Sequence, residues 1–249
     1  TWAERMLTFR GSIPIRLTPS RRSSDYMKRI IAAICCVFAI AFIAVATVDF
    51  TAKDRFYPLL FDDVHYEYTV HEPAPATLKK GDYVLYGTYK TEQMLWRVIS
   101  EDGTLLQSGY IIDFAPFGRS SDISESDLIK NIGDEFGEIS EDIFIPSKND
   151  LSKLSAAERK RQPTLSAVLR CKTRFMFLRK NCWYWTSSGI STNSLSVAAV
   201  TQSGTFYKTP ATDELTGICP AIRLDGRNVS VVCGNGTKEM PYVIGGEQR

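Results

Sequence analysis

Ile30 to Val48, IIAAICCVFAIAFIAVATV, is a run of nineteen residues without a charge, with Thr47 as its clearly polar member. At a helical rise of about 1.5 Å per residue it spans roughly 28 Å, close to the hydrocarbon thickness of a bilayer. A buried helix of a soluble domain would show a polar edge that this run lacks. Before it stand Arg5, Arg10, Arg16, Arg21, Arg22, Lys28 and Arg29 against only Glu4 and Asp25, while Asp49 to Asp63 mixes Lys53 and Arg55 with four aspartates. Positive flanks stay in the cytoplasm, so the run is expected to be a single-pass membrane anchor with the C-terminal part outside the cell membrane. A second expectation stays open beside it. Met27-Lys28-Arg29, the apolar run and Ala44-Val45-Ala46 have the three parts of a cleavable signal peptide, and cleavage near Ala46 gives a secreted protein. The apolar core exceeds the usual length of about 7 to 15 residues for a signal sequence, which favours the anchor.

The chain divides accordingly. Residues 1–29 form a basic cytoplasmic segment, 30–48 the transmembrane helix, 49–77 a stalk broken by Pro58, Pro73 and Pro75, and 78–249 one extracytoplasmic domain large enough to bury a core. The net charge is +2, and seven basic against two acidic residues before Asp49 leave the remainder at −3. A mildly acidic outer domain gives no case for nucleic acid. Both histidines, His65 and His71, fall in the stalk without neighbours at metal spacing. The folded domain therefore has no histidine for a Ser-His-Asp or Cys-His centre or a histidine-bound zinc, and neither metal nor cofactor is expected.

After Gly81 the patterning is that of strands. Asp82 to Tyr86 is aromatic and β-branched. Met94 to Ser100 alternates, with Met94, Trp96 and Val98 on one face and Leu95, Arg97 and Ile99 on the other, and Glu101-Asp102-Gly103-Thr104 turns the chain into Leu105 to Ser108. Val64 to Val70 alternates well enough for a short edge strand. A block of short helices follows. Leu128, Ile129, Ile132 and Phe136 have helical spacing, Ile143-Phe144-Ile145 is a short buried strand, and Ser147 with Asp150 and Ser155 with Glu158 form capping boxes. Strands return at Cys182 to Ser188, Leu195 to Thr201, Thr205 to Tyr207, Ile218 to Leu224 and Val229 to Cys233. Runs of strands around a helical block, without βαβ alternation, predict an α+β fold with antiparallel sheets.

Several of these stretches together carry a resemblance. Met94-Leu95-Trp96-Arg97-Val98-Ile99, the helix Leu128 to Phe136, Ile145-Pro146-Ser147, Trp183-Tyr184-Trp185-Thr186-Ser187, Gly217-Ile218-Cys219-Pro220-Ala221-Ile222 and the tail Pro241-Tyr242-Val243-Ile244 resemble an uncharacterised bacterial family of extracellular domains. That family is similar to C-type-lectin-like domains and the formylglycine-generating-enzyme fold. The resemblance implies C-type-lectin-like antiparallel sheets with a central block of short helices. Cys219 stands where relatives carry arginine, and the helix around Asn131 lacks their tryptophan, so no ligand role of that arginine carries over.

These residues point to a non-catalytic binding or interaction domain for a carbohydrate or a peptide. Its candidate ligand contacts are Trp183 and Trp185 beside the hydroxyl- and amide-rich loop with Asn193, and Arg223. The alternative is an exported enzyme using carboxylates, for which Asp113, Asp122, Glu125 and Asp127 cluster in sequence. Cys171, Cys182, Cys219 and Cys233 are disulfide candidates in an exported domain. If Asp225-Gly226-Arg227 closes a hairpin as a three-residue loop, Cys219 faces Cys233; a two-residue loop turns the sulfurs to opposite faces, and reduced thiols packed as small hydrophobes remain the other outcome. Cys171 and Cys182, eleven residues apart, are left as a second pair that no register argument supports.

Overall fold

The computed structural model describes residues 64–69, 74–126, 128–136, 143–171, 181–190, 195–224 and 228–244, with Phe61 and five positions of the apolar run. Contacts divide the chain into two units, Thr1–Val48 and Asp49–Arg249. In the first, Ile30, Ile31, Ile34, Cys35 and Val37 are helical and exposed. Most of the expected anchor, Ile30 to Val48, lies outside the described residues, and among those described no helix is long and apolar enough to cross a membrane.

The second unit is a mixed α+β fold, mostly sheet. Its organising meander is β2 (Tyr83–Tyr89), β3 (Glu92–Val98) and β4 (Leu105–Ser108). Trp96 lies opposite Val84 on one side and Ser108 on the other, so the expected hairpin across Glu101 to Thr104 forms in the register that the alternation demands. Asp102 holds that turn: its carboxylate accepts from the Ser100 hydroxyl at 2.5 Å and from the Thr104 amide at 3.1 Å. The β2–β3 turn gave no such sequence signal. Tyr89 pairs with Glu92 across two residues, Lys90 and Thr91, both at positive φ (54° and 100°). Two-residue turns of this kind favour Asn-Gly because L side chains crowd the backbone there. β2 therefore runs three residues beyond Tyr86, and β3 begins two residues before Met94 and ends at Val98 rather than Ser100.

Seven strands form one sheet in the order β1-β11-β12-β2-β3-β4-β10, with β1 at Ala74–Thr77, β10 at Ala221–Arg223, β11 at Asn228–Cys233 and β12 at Tyr242–Ile244. The sheet thus begins inside the expected stalk. Pro75 is tolerated because β1 is an edge strand. Strands lie about 4.8 Å apart, so the five steps from β11 to β10 would cover roughly 24 Å if flat. The chain from Arg223 to Asn228 reaches at most about 18 Å. The sheet is consequently rolled, bringing its two ends toward each other.

That topology corrects the expected hairpin between Cys219 and Cys233. β10 pairs with β4, and its other edge is taken by Phe144, which exchanges backbone hydrogen bonds with Ala221 at 3.0 and 2.7 Å. β11 pairs instead with β1 and β12. Facing register between the two cysteines does not exist.

A second sheet of five strands has the order β5-β9-β6-β7-β8, from β5 (Asp113–Phe114), β6 (Tyr184–Gly189), β7 (Ser196–Val200), β8 (Phe206–Pro210) and β9 (Gly217–Ile218). Two pairings depart from the antiparallel expectation: β12 with β2, and β6 with β9, are parallel. The helices that fall between β5 and β6 in the chain are α1 (Leu128–Gly133), α2 (Lys148–Ser152), α3 (Ala156–Arg159) and α4 (Leu165–Arg170). Both expected capping boxes form, at Ser147/Asp150 and Ser155/Glu158, and Thr164 caps α4. Ile143 and Ile145 are buried, but between them only Phe144 makes a bridge.

The main core gathers Met94, Trp96, Val98, Leu106, Phe117, Phe136, Trp185 and Ile222. Trp96 and Trp185 are fully buried, and their indole N–H groups donate at 2.8 Å to the Tyr86 and Ala115 carbonyls. Leu85, Leu95, Tyr110 and Val243 make a smaller cluster on the opposite face of the meander. On that face the cleft described next is built.

Candidate functional site

Residues 64–69 do not pair as a strand, in contrast to the expected edge strand; they lie along the face of the meander that carries Leu85. Tyr66 tethers them. Its backbone N–H donates to Gln93 Oε1 at 3.3 Å and its hydroxyl to the Lys238 carbonyl at 2.9 Å. The opposite wall is the turn after β11. Asn235 and Gly236 N–H both donate to the Met240 carbonyl, and the Gly236 carbonyl accepts from Tyr83 N–H at 2.7 Å. Gly234 holds φ 96°, and a Cβ there would stand 2.0 Å from the Pro241 carbonyl oxygen. Only glycine closes this turn without moving the wall.

Between the two walls is a cleft of about 770 Å³ lined by Tyr66, Glu67, Tyr68, Thr69, Leu85, Cys233, Gly234, Glu239, Met240 and Pro241. Leu85 and Pro241 are buried, whereas Tyr68 and Met240 are 43% and 57% exposed, an apolar surface offered to solvent. Glu67 and Glu239 are exposed carboxylates among the lining residues, with no cation among them. The volume suits a small molecule or a few residues of a chain. Burial pushes the Cys233 thiol up, so it is a weak nucleophile. Among the described residues no group of three or more His, Cys, Asp or Glu could hold a metal ion.

The ligand candidates expected from sequence do not meet at this cleft. Trp185 fills the core. Trp183 is partly buried and meets the exposed Tyr207 edge-on at 5.9 Å. Asn193 lies outside the described residues. Arg223 is exposed, stacked over Phe144 at 5.4 Å and 3.8 Å from Asp150. His65 is exposed on the cleft-side segment, and His71 lies outside the described residues.

Two of the four candidate carboxylates, Asp113 and Asp122, have structural partners, and Glu125 is exposed. Asp113 accepts from the Tyr89 hydroxyl and the Lys90 ammonium, each at 3.0 Å, and stands 3.3 Å from Arg170 Nε, while Arg170 also meets Glu92 at 3.4 Å. This charge-balanced cluster clasps the Lys90-Thr91 turn, and burial, with the adjacent Asp113 charge, pushes the Tyr89 hydroxyl upward. Asp122 caps the 3-10 turn Ile123–Glu125, and the Ser124 amide hydrogen bond holds its carboxyl below the usual range. Asp127 lies outside the described residues.

The four cysteines of the outer unit are spread over three apolar clusters. Cys219 is fully buried, with its thiol donating to the Ser108 carbonyl at 3.4 Å, and burial raises it to about 12 although Arg161 opposes the shift. Cys233 packs against the Leu85 cluster at the cleft, Cys171 and Cys182 pack with Val168 and Phe61, and Cys182 also packs against the cluster that contains Cys219. Cys219 and Cys233 are thiols.

Sequence reasoning missed the cleft because its walls fall in stretches that looked like stalk and tail. The signal was there in part: Val64, Tyr66 and Tyr68 recur every second residue, which marks one packed face. No family model, curated protein or solved structure matches this chain.

Proposed function

We propose that the outer unit is a non-catalytic binding domain that holds an extended peptide segment in the cleft between residues 64–69 and 233–241, carried at the cell membrane by Ile30 to Val48. The cleft is the observation that carries this reading. Its apolar surfaces, Leu85, Pro241, Met240 and the Tyr68 ring, suit an aliphatic or aromatic side chain, and Glu67 and Glu239 suit a basic one. A neutral glycan would use the aromatic surface but leave both carboxylates without a cationic partner, which favours a peptide over a carbohydrate. The membrane placement rests on the length of the apolar run and the basic residues before it. Kinship with C-type-lectin-like domains rests on the sequence motifs alone.

The test is an array of peptides and glycans probed with the full chain. Peptides joining a basic to an apolar residue are expected to bind and to weaken with salt, and Tyr68→Ala should cost about tenfold in affinity, or ~1.4 kcal/mol. Glu67→Gln with Glu239→Gln should remove the preference for basic peptides. Glycan binding insensitive to all three substitutions would contradict the reading.

A further inference from the structure

We infer that the cleft takes the free N-terminus of a peptide, with its α-ammonium between Glu67 and Glu239; this deepens the peptide reading above and rests on it. The cleft is bridged at one end. The Tyr66 hydroxyl crosses from one wall to the other and donates to the Lys238 carbonyl at 2.9 Å. Tyr66 is fixed in that position, since its N–H donates to Gln93 Oε1 at 3.3 Å and it packs, with Val64, against the cluster of Leu85, Leu95, Tyr110 and Val243. On the first wall the lining residues run from Tyr66 to Thr69, and on the second from Glu239 to Pro241 with Cys233 and Gly234 alongside. Lys238 is not among them, so the bridge stands where both walls begin and both run away from it. A segment from the middle of a longer chain needs a way out at each end. With one end bridged, a chain terminus is what fits.

The charges beside the bridge decide which terminus. Glu67 directly follows Tyr66 and Glu239 directly follows Lys238, so each wall places a carboxylate one residue from the bridge, and both residues line the cleft. The cation next to Glu239 in the chain is turned elsewhere: the Lys238 ammonium stands 4.9 Å from the centre of the Tyr110 ring, and Tyr110 does not line the cleft. A C-terminal carboxylate brought to this end would meet two like charges. An α-ammonium would meet two opposite ones and has donors for both. One residue further along the walls come Tyr68 and Met240, the two exposed apolar side chains of the cleft. The site therefore suits a chain that begins with an apolar residue, its charged end at the bridge and its side chain against that surface.

The experiment measures binding of the full chain to two pairs of tetrapeptide amides, Leu-Ala-Ser-Ala and Leu-Lys-Ser-Ala, each with a free and with an acetylated N-terminus. Acetylation is expected to weaken both by about tenfold, and the internal lysine of the second pair should not restore binding to its acetylated member. Glu67→Gln with Glu239→Gln should bring the free peptides down to the affinity of the acetylated ones. Tyr66→Phe keeps the ring but removes the bridging hydroxyl, and should narrow the ratio within each pair by admitting acetylated peptides. Equal binding of free and acetylated peptides to the wild-type chain overturns the inference while the peptide reading stands, and so does a ratio unchanged in Tyr66→Phe. Binding by none of the four peptides sinks the peptide reading and the inference with it.

Discussion

Aromatic residues serve opposite ends in the core and at the cleft. Trp96 and Trp185 have no solvent-exposed surface, and each satisfies its one polar hydrogen on a backbone carbonyl within the fold. Phe117 meets Trp185 edge-on at 5.5 Å, completing the packing. At the cleft Tyr66 uses its hydroxyl to pin a wall, but Tyr68 beside it is 43% exposed and Met240 57%. The lesson is that residue type alone does not mark a binding platform. Where a ring is enclosed and its polar atom paired, it stabilises; where apolar surface remains in water beside exposed carboxylates, it is available to a ligand.

Truncating the core should cost most. Trp96→Ala is expected to lower stability by about 3 to 5 kcal/mol, as large aromatic truncations do, whereas Tyr68→Ala should fall within about 0.5 kcal/mol of wild type. Urea denaturation of both variants checks the contrast, and equal losses would erase it. Next in size is Gly234→Ala, where the strained φ and the close Pro241 carbonyl should cost on the order of 1–3 kcal/mol and, by shifting one wall, weaken peptide binding as well. Retained stability with retained binding would show that the turn is not what shapes the cleft. Thr91→Gly should act in the other direction. A β-branched residue at φ 100° is relieved by glycine, and a gain of about 1 kcal/mol in thermal or urea unfolding is expected, without change at the cleft.

The meander was legible because three kinds of signal agreed. Met94, Trp96 and Val98 alternate with Leu95 and Arg97, Asp102-Gly103 supplies turn chemistry, and both faces are buried enough to pin the register. The capping boxes at Ser147 and Ser155 were legible for the same local reason: donor and acceptor lie three residues apart in the chain. What failed was non-local. Nothing near Asp225 says that Phe144 will occupy the edge of β10 or that β11 will join β1 and β12, so the cysteine register built on a local hairpin was wrong. The cleft was hidden likewise, since its walls lie far apart in sequence, around Tyr66 and Met240. Trp183 and Trp185 were grouped by adjacency, yet one is enclosed and the other reaches Tyr207 at the surface.

The smallest expected effect is on acid stability. Hydrogen bonds from Ser155, chiefly its amide, hold Glu158 below its usual value of 4.5 in the folded chain. A carboxyl lowered by folding contributes stability above its unfolded pKa, and that contribution is lost as pH falls through the lower folded value. Glu158→Gln should therefore flatten the fall in stability below about pH 4.5, by a modest amount because the group is well solvated. A pH series of thermal midpoints for the two proteins reads it.

Hydrogen exchange on the full chain with a basic, apolar peptide bound tests the central claim most directly. Slower exchange is predicted for amides of residues 64–69 and 233–240, with the amides of Ile190, Leu195 and Tyr207 unchanged. Protection confined to the Trp183 and Tyr207 region, with the cleft amides exchanging as in the unbound chain, would contradict it.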